Sequence, residues 1–208
     1  MDRDRLHFLL RRLHSLSGIV PIGAYLLLHI FLENSFVLGG RERFDLLVQA
    51  IAQVPTAVLL ATEVLLLWAP ILFHGLYGLV ILRSADVGNA IHYDYTNSYL
   101  YVLQRVTGVI AFLFIGFHVT STRLAYYFAG TEITYEFMHS YLVQPLWFAV
   151  YTIGVISAVF HFCNGIWTFC VTWGITIGAA AQRGMQLASV ALFVVMSFTS
   201  MAILVAFR

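Results

Sequence analysis

Five long apolar runs constrain this sequence more than any other feature. They fall at about 16–38, 56–82, 104–128, 146–173 and 185–206. A hydrocarbon core about 30 Å thick is crossed by roughly 20 apolar residues in a helix, so each run is long enough to span a membrane. Only 10% of the 208 residues are charged, against about a quarter in soluble domains. The sequence therefore predicts an all-α integral membrane protein, a single domain over 1–208 with five transmembrane helices.

The distribution of arginine predicts the orientation of these helices. With the N-terminus inside, seven arginines fall on the inner side and four on the outer side, and the inner side normally carries the excess of positive charge. We therefore expect a cytoplasmic N-terminus and a C-terminus outside. The net charge of +1 indicates no nucleic-acid partner. Cys163 and Cys170 lie seven apart in one apolar run, which supports neither a disulfide framework nor an iron–sulfur site.

Four histidines lie within the apolar runs, one in each of the first four. They are His29, His74, His118 and His161. Ionisable side chains are expensive inside a membrane and are rare there unless they have a function. One such histidine could be a hydrogen-bonded core residue, but one in each of four helices needs a common explanation.

Short matches near these histidines indicate an internal repeat. LHSLSGIV at 13–20 aligns with LQRVTGVI at 103–110, and HGLYGL at 74–79 aligns with HFCNGI at 161–166. The two histidines of the first half are 45 residues apart, and those of the second half are 43 apart. Spans one and two therefore look like a repeat of spans three and four.

The helical rise of about 1.5 Å per residue separates the histidines into two levels. His29 and His118 come out about 20 Å or more from the inner face, whereas His74 and His161 fall in the inner half. Two such pairs, each drawn from two helices, predict two stacked haems with two axial imidazoles each, enclosed by the first four spans. A four-histidine zinc site needs one common depth. The alternative is a haem-free transporter or proton-relay protein that uses intramembrane His and Glu.

Several glycines and polar residues are candidates for contact with a cofactor. Gly78 and Gly165 follow the inner histidines by one turn, where a missing side chain lets a macrocycle approach the backbone; helix–helix contact is the alternative. Gly18 and Gly108 are the glycines of the other repeated segment. Haem propionates need donors, and membrane anchoring by arginine is the alternative role. The candidate donors are Arg12, His14, Ser17, Arg83 and Arg105 on the inner side and Arg123 on the outer side.

Glu63 is the carboxylate that the predicted spans place deepest in the membrane. It lies eight residues after Pro55, about 12 Å from the outer side, near the expected outer haem. A carboxylate within a membrane can take part in proton transfer. The alternative is a neutral, hydrogen-bonded carboxyl group that braces helices.

The four intramembrane histidines, together with RRLHSLSG at 11–18, resemble a known family. It is the di-haem cytochrome b membrane-anchor subunit of succinate dehydrogenase and fumarate reductase, in its single-chain, five-span form. The resemblance implies that His74 and His161 bind the iron of the inner haem b, and His29 and His118 that of the outer haem b. It also implies electron transfer between an iron–sulfur partner subunit and a membrane quinone, menaquinone or another. Because quinone reduction takes up protons as well as electrons, we expect Glu63 to carry protons to or from that quinone.

The same resemblance implies the setting of the protein. Its partners would be a flavoprotein subunit, an iron–sulfur subunit and membrane lipid in the inner membrane of a prokaryote, with a higher oligomer of the complex left open. The chain has neither a G-x-G-x-x-G motif nor a cysteine cluster. It is therefore expected to be a subunit of a succinate:quinone oxidoreductase that is not catalytic alone for succinate.

Overall fold

In a computed structural model, the chain is built from α-helices. The structure describes residues 2–84 and 96–208, with side chains from 98 onward in the second range. The described residues form, in chain order, α1 (Arg3–Gly39), α2 (Arg41–Ala52), α3 (Thr56–Arg83), α4 (Ser98–Ala129), α5 (Tyr135–Leu142), α6 (Pro145–Thr172) and α7 (Ala179–Ala206). Five of them, α1, α3, α4, α6 and α7, are long and apolar enough to cross a membrane. The predicted all-α class and the number of spans are confirmed.

Helix α1 is longer than the span expected over 16–38. Its 37 residues extend about 55 Å at the standard rise, whereas the hydrocarbon core is about 30 Å thick. At this length, part of α1 is expected to lie outside the hydrocarbon core. The connections expected at 39–55 and 129–145 contain helices α2 and α5. The connection between α3 and α4 lies largely outside the described residues, and the interpretation of 1–208 as one domain stays a prediction.

Wider, π-helical turns interrupt the helices that carry three of the four histidines. Pro21 lies inside the first of these turns, and Pro70 lies two residues after the end of the third. Proline has no N–H and cannot complete the regular helical bonding, so a wider turn there is a local adjustment of the backbone. His29 begins the second turn, and π turns are frequent at functional sites. The turns are Gly18–Gly23, His29–Glu33, Val64–Trp68 and Thr120–Leu124.

Helix α6 is the central element of the bundle and packs against α4 and α7. Val159 and Cys163 on α6 and Met196 on α7 are at most 1% exposed. Lipid tails are as apolar as these side chains, so close van der Waals packing, rather than removal from water, holds α6 and α7 together. Helix α1 packs against α3 and also contacts α6, and α3 contacts α4. The four histidine-bearing helices therefore face a common interior.

Candidate functional site

The structure brings the four intramembrane histidines together as two pairs. The rings of His74 on α3 and His161 on α6 have centroids 6.1 Å apart and an interplanar angle of 88°. Those of His29 on α1 and His118 on α4 are 6.0 Å apart at 67°. We call these the inner pair and the outer pair. Among the described residues, no group of three or more His, Cys, Asp or Glu side chains could share a metal ion, which gives the four-histidine zinc site no support.

Both rings of the inner pair donate a hydrogen bond through Nδ1 to a backbone carbonyl. His74 Nδ1 lies 2.8 Å from the carbonyl oxygen of His14, and His161 Nδ1 lies 2.9 Å from that of Gln104. A carbonyl can only accept, so Nδ1 carries the proton and Nε2 keeps its lone pair for a metal. Residues 14 and 104 are aligned in the sequence repeat, so the repeat supplies the same acceptor twice. The Ser17 hydroxyl donates to the same His14 oxygen and lies 3.3 Å from His74 Nδ1.

Gly18 and Gly108 make room for the inner imidazoles. They lie four residues after the two acceptor carbonyls, one on α1 and one on α4. A Cβ atom at Gly108 would lie 2.7 Å from Cε1 and 2.9 Å from Nδ1 of His161, and one at Gly18 would overlap the ring of His74. The structure therefore places these two candidate residues against the histidine rings, where they fix ring position.

Gly78 and Gly165 accommodate side chains of the neighbouring helix. A Cβ at Gly78 would lie 3.2 Å from Cε1 of His14, and one at Gly165 would lie 3.5 Å from Nε2 of Gln104. The His14 ring also stacks on the His74 ring, with centroids 3.9 Å apart and an interplanar angle of 13°. The sequence predicts that the edge of a macrocycle approaches the backbone at these two glycines, whereas in the structure the side chains of residues 14 and 104 lie against them. Sequence reasoning missed Gln104, although its alignment with His14 was visible.

The rings of the outer pair are bonded to side chains. His29 Nδ1 lies 2.7 Å from Glu33 Oε2 and 3.2 Å from the Tyr25 hydroxyl. His118 Nδ1 lies 3.4 Å from the Tyr151 hydroxyl. Sequence reasoning missed Glu33 and both tyrosines; the four-residue spacing of His29 and Glu33 on one helix face was the available signal. Among the described residues, no hydrogen bond uses Nε2 of any of the four histidines.

Glu63 and Arg123 form one ion pair, although the sequence assigned them to separate roles. Glu63 is 8% exposed, and Arg123 Nε donates to its Oε1 at 2.6 Å. The Tyr127 hydroxyl donates to Oε2 at 3.2 Å. A buried carboxylate is tolerated when a cation and further donors surround it. Here Arg123 is the cation beside Glu63, and Tyr127 is the further donor.

Two comparisons with known proteins indicate the same family for this chain. Residues 83–203 match the family described as succinate dehydrogenase/fumarate reductase transmembrane subunit. The chain is also 37% identical over 200 residues to a protein named succinate dehydrogenase cytochrome b558 subunit, from Bacillus subtilis (strain 168), with 96% of each chain covered. The chain belongs to the succinate dehydrogenase/fumarate reductase transmembrane subunit family. It is a multi-pass membrane subunit of such a complex and not catalytic on succinate alone, as the sequence predicted.

The basic residues expected near the inner end of this family member have distinct surroundings. The Arg12 guanidinium carbon lies 5.2 Å from the ring centroid of Phe8 and 4.9 Å from that of Trp173, so Arg12 links α1 to the segment after α6. Arg105 donates through Nη1 to the Tyr101 carbonyl at 2.8 Å. Arg83 is the exposed last residue of α3.

Two observations test whether these residues fit a haem. Imidazole nitrogen binds metals at about 2 Å, so two rings on opposite sides of one iron have nitrogens about 4 Å apart and centroids further out, in keeping with the 6.0 and 6.1 Å seen here. In addition, Arg105 Nε and His14 Nδ1 are buried and have no partner in the part of the chain that the structure describes. Buried polar atoms are nearly always bonded, and propionate oxygens are suitable acceptors. The residues fit the group.

Proposed function

We propose that this subunit passes electrons between an iron–sulfur partner subunit and a membrane quinone through two bis-histidine b haems. The observation that carries the proposal is that two imidazole rings face each other in each pair, with centroids 6.1 Å apart in the inner pair and 6.0 Å apart in the outer pair. Each ring is held by a bond at Nδ1. The relative from Bacillus subtilis is named a cytochrome b558 subunit, which supports haem b as the group.

In this proposal, each side chain has a defined task. His74 and His161 would hold the inner haem, and His29 and His118 would hold the outer one. A bound b-type haem supplies a one-electron Fe(III)/Fe(II) couple. The chain orients all four imidazoles through their Nδ1 bonds, and such partners fix ring orientation and raise ligand basicity. Arg105 would bind a propionate. The lipid-facing helices would exclude water.

The N-terminal turns of α1 suggest where the partner subunits dock. These turns carry the Arg-rich segment and lead into the inner pair, where the His14 carbonyl accepts from His74. In this proposal they extend beyond the membrane on that side. We place that side in the cytoplasm of a prokaryote, with the C-terminus outside the inner membrane. The iron–sulfur subunit would then meet α1 close to the inner pair, and the flavoprotein subunit would be bound to the iron–sulfur subunit.

The Glu63–Arg123 pair is our candidate for quinone protonation. Reduction of a quinone to a quinol consumes two electrons and two protons. Glu63 can hold a proton at Oε1 or Oε2, and Tyr127 provides a second hydroxyl 3.2 Å away. Arg123 keeps the carboxylate stable between turnovers. Menaquinone or another quinone would therefore bind beside α3 and α4, near the outer pair.

A visible spectrum of the purified complex tests the electron-transfer proposal. We expect the sharp reduced bands of low-spin b haem and about two haems for each copy of this chain. A His74→Ala variant should lose one haem and keep the other. A preparation in which this subunit binds no haem would overturn the proposal and favour the haem-free transporter or proton relay.

A further inference from the structure

The inner and outer pairs differ in the groups that accept their Nδ1 hydrogen bonds. Both inner rings donate to main-chain carbonyls, which carry no net charge. In the outer pair, His118 faces a tyrosine hydroxyl at 3.4 Å, whereas His29 has a carboxylate oxygen of Glu33 at 2.7 Å. Hydrogen bonds to ionised acceptors are shorter and roughly twice as strong as neutral ones. Glu33 therefore distinguishes the outer pair from the inner pair.

Several contacts hold Glu33 and the His29 ring in place. The two residues are the first and last of the π turn His29–Glu33. The Asn34 side-chain amide donates to the His29 carbonyl at 2.8 Å and satisfies this oxygen within the turn. The Tyr25 hydroxyl lies 3.2 Å from His29 Nδ1 and donates to Glu33 Oε2 at 3.5 Å. These contacts fix both partners of the bond.

The surrounding charges leave Glu33 without a closer cation. Arg123 is committed to Glu63 at 2.6 Å. Among the described residues, the ion pair that includes Glu33 is the one with His29. The Glu33 side chain is 36% exposed, and Glu33 lies six residues before the end of α1 at Gly39.

We propose that Glu33 is a positioning residue that lowers the reduction potential of the outer haem through its bond to His29. This inference rests on the proposed function. A carboxylate on Nδ1–H makes the imidazole a stronger electron donor to the metal, and second-shell hydrogen bonding is one of the levers that set haem potential. The ferric state carries one more positive charge than the ferrous state, so both the stronger ligand and the nearby negative charge favour it.

The test is a redox titration of the intact complex with a Glu33→Gln substitution. Glutamine keeps the side-chain length and an oxygen acceptor but removes the charge. The α-band absorbance is followed against applied potential, and the outer component is identified as the one missing from a His118→Ala variant. We expect the outer component to shift to higher potential and the inner component to stay unchanged. A Glu136→Gln variant is the matched control, because Glu136 is a surface carboxylate paired with Arg41.

The outcomes separate this inference from the proposed function. If Glu33→Gln binds both haems and the outer potential does not move, the inference is wrong. If both potentials shift together, or if the Glu136→Gln control shifts equally, the effect is a general charge effect and the inference is also overturned. A Glu33→Asp variant keeps the charge and should restore a lower outer potential than Glu33→Gln. Loss of the outer haem from both variants would assign Glu33 to haem retention and overturn the role in potential. A wild-type complex without two b-type components would instead refute the proposed function.

Discussion

Replacement of Gly108 by alanine tests the packing that holds the inner pair. The new Cβ would lie 2.7 Å from Cε1 of His161, whereas carbon atoms in good contact are about 3.5–4.0 Å apart. The ring would have to retreat by roughly 1 Å. Its Nδ1 bond to the Gln104 carbonyl, at 2.9 Å, and its burial oppose that movement.

The magnitude follows from two opposing effects. Overpacking of a filled site costs about 1–3 kcal/mol, whereas Gly→Ala within a helix stabilises by about 1 kcal/mol. The net loss of folding free energy is therefore small, about 0–2 kcal/mol. Haem binding does not benefit from helix propensity, because that gain is present with or without the ligand. The overpacking cost enters haem binding only to the extent that the ring relaxes when no haem is bound, so binding at the inner pair should weaken by up to about 3 kcal/mol, or up to about 150-fold.

The assay is haem content and the low-spin EPR spectrum of the purified complex. Gly108→Ala should lose the inner component or shift its signal, while the outer component is retained. Gly116→Ala is the matched control, because Gly116 lies on the same helix and an added Cβ there meets no atom of the described residues within 4 Å. Two haems with an unchanged inner signal in Gly108→Ala would refute the ring position described here.

Three further substitutions test other parts of the structure. Glu63→Gln should lower quinone-linked turnover by about 100-fold, in the range for loss of an acid–base group, while succinate oxidation with a soluble acceptor continues. Unchanged turnover with both haems bound would exclude the proposed proton transfer. Gln104→Leu should cost about 1–3 kcal/mol of stability because the Asn164 amide loses its acceptor at 2.7 Å. Both haems should remain, since His161 is bonded to the main chain, and loss of the inner haem would contradict this prediction. Met196→Ala should cost about 2–5 kcal/mol in a denaturation experiment because Met196 is fully buried, and a loss below about 1 kcal/mol would contradict the packing of α6 on α7.

The five spans could be predicted because membrane helices are specified by long apolar runs alone. Helices α2 and α5 were not predicted because they lie in the connections and are too short and too polar for that criterion. RERFDLLVQAIA, the sequence of α2, places apolar residues at helical spacing, which was the available signal. The excess length of α1 was missed for a related reason. Its first turns are rich in arginine and lie outside the apolar run at 16–38, although helix formation does not require apolar residues on every side.

The site was predictable where it depends on position along one helix. The rise per residue was sufficient to place His74 and His161 at one level. The partners of these rings depend on packing between helices, which determines that Gln104 of α4 faces α6 and that Tyr151 reaches His118. A single sequence contains no such information, except where the repeat aligns residue 104 with residue 14. The pairing of Glu63 with Arg123 was missed for the same reason.

The internal repeat locates the difference between the two outer rings. The position four residues after the outer histidine is Glu33 in the first half and Thr122 in the second, and the Thr122 hydroxyl donates to a carbonyl of its own helix, that of His118. The Glu-to-Thr difference at this position therefore explains why the His29 ring has a carboxylate partner and the His118 ring does not. The inner acceptors are main-chain carbonyls, which no side-chain substitution removes. Single substitutions that directly replace the Nδ1 acceptor are therefore possible only at the outer pair. Under the proposed function, we expect the potential of the inner haem to respond instead to ring packing, as at Gly108.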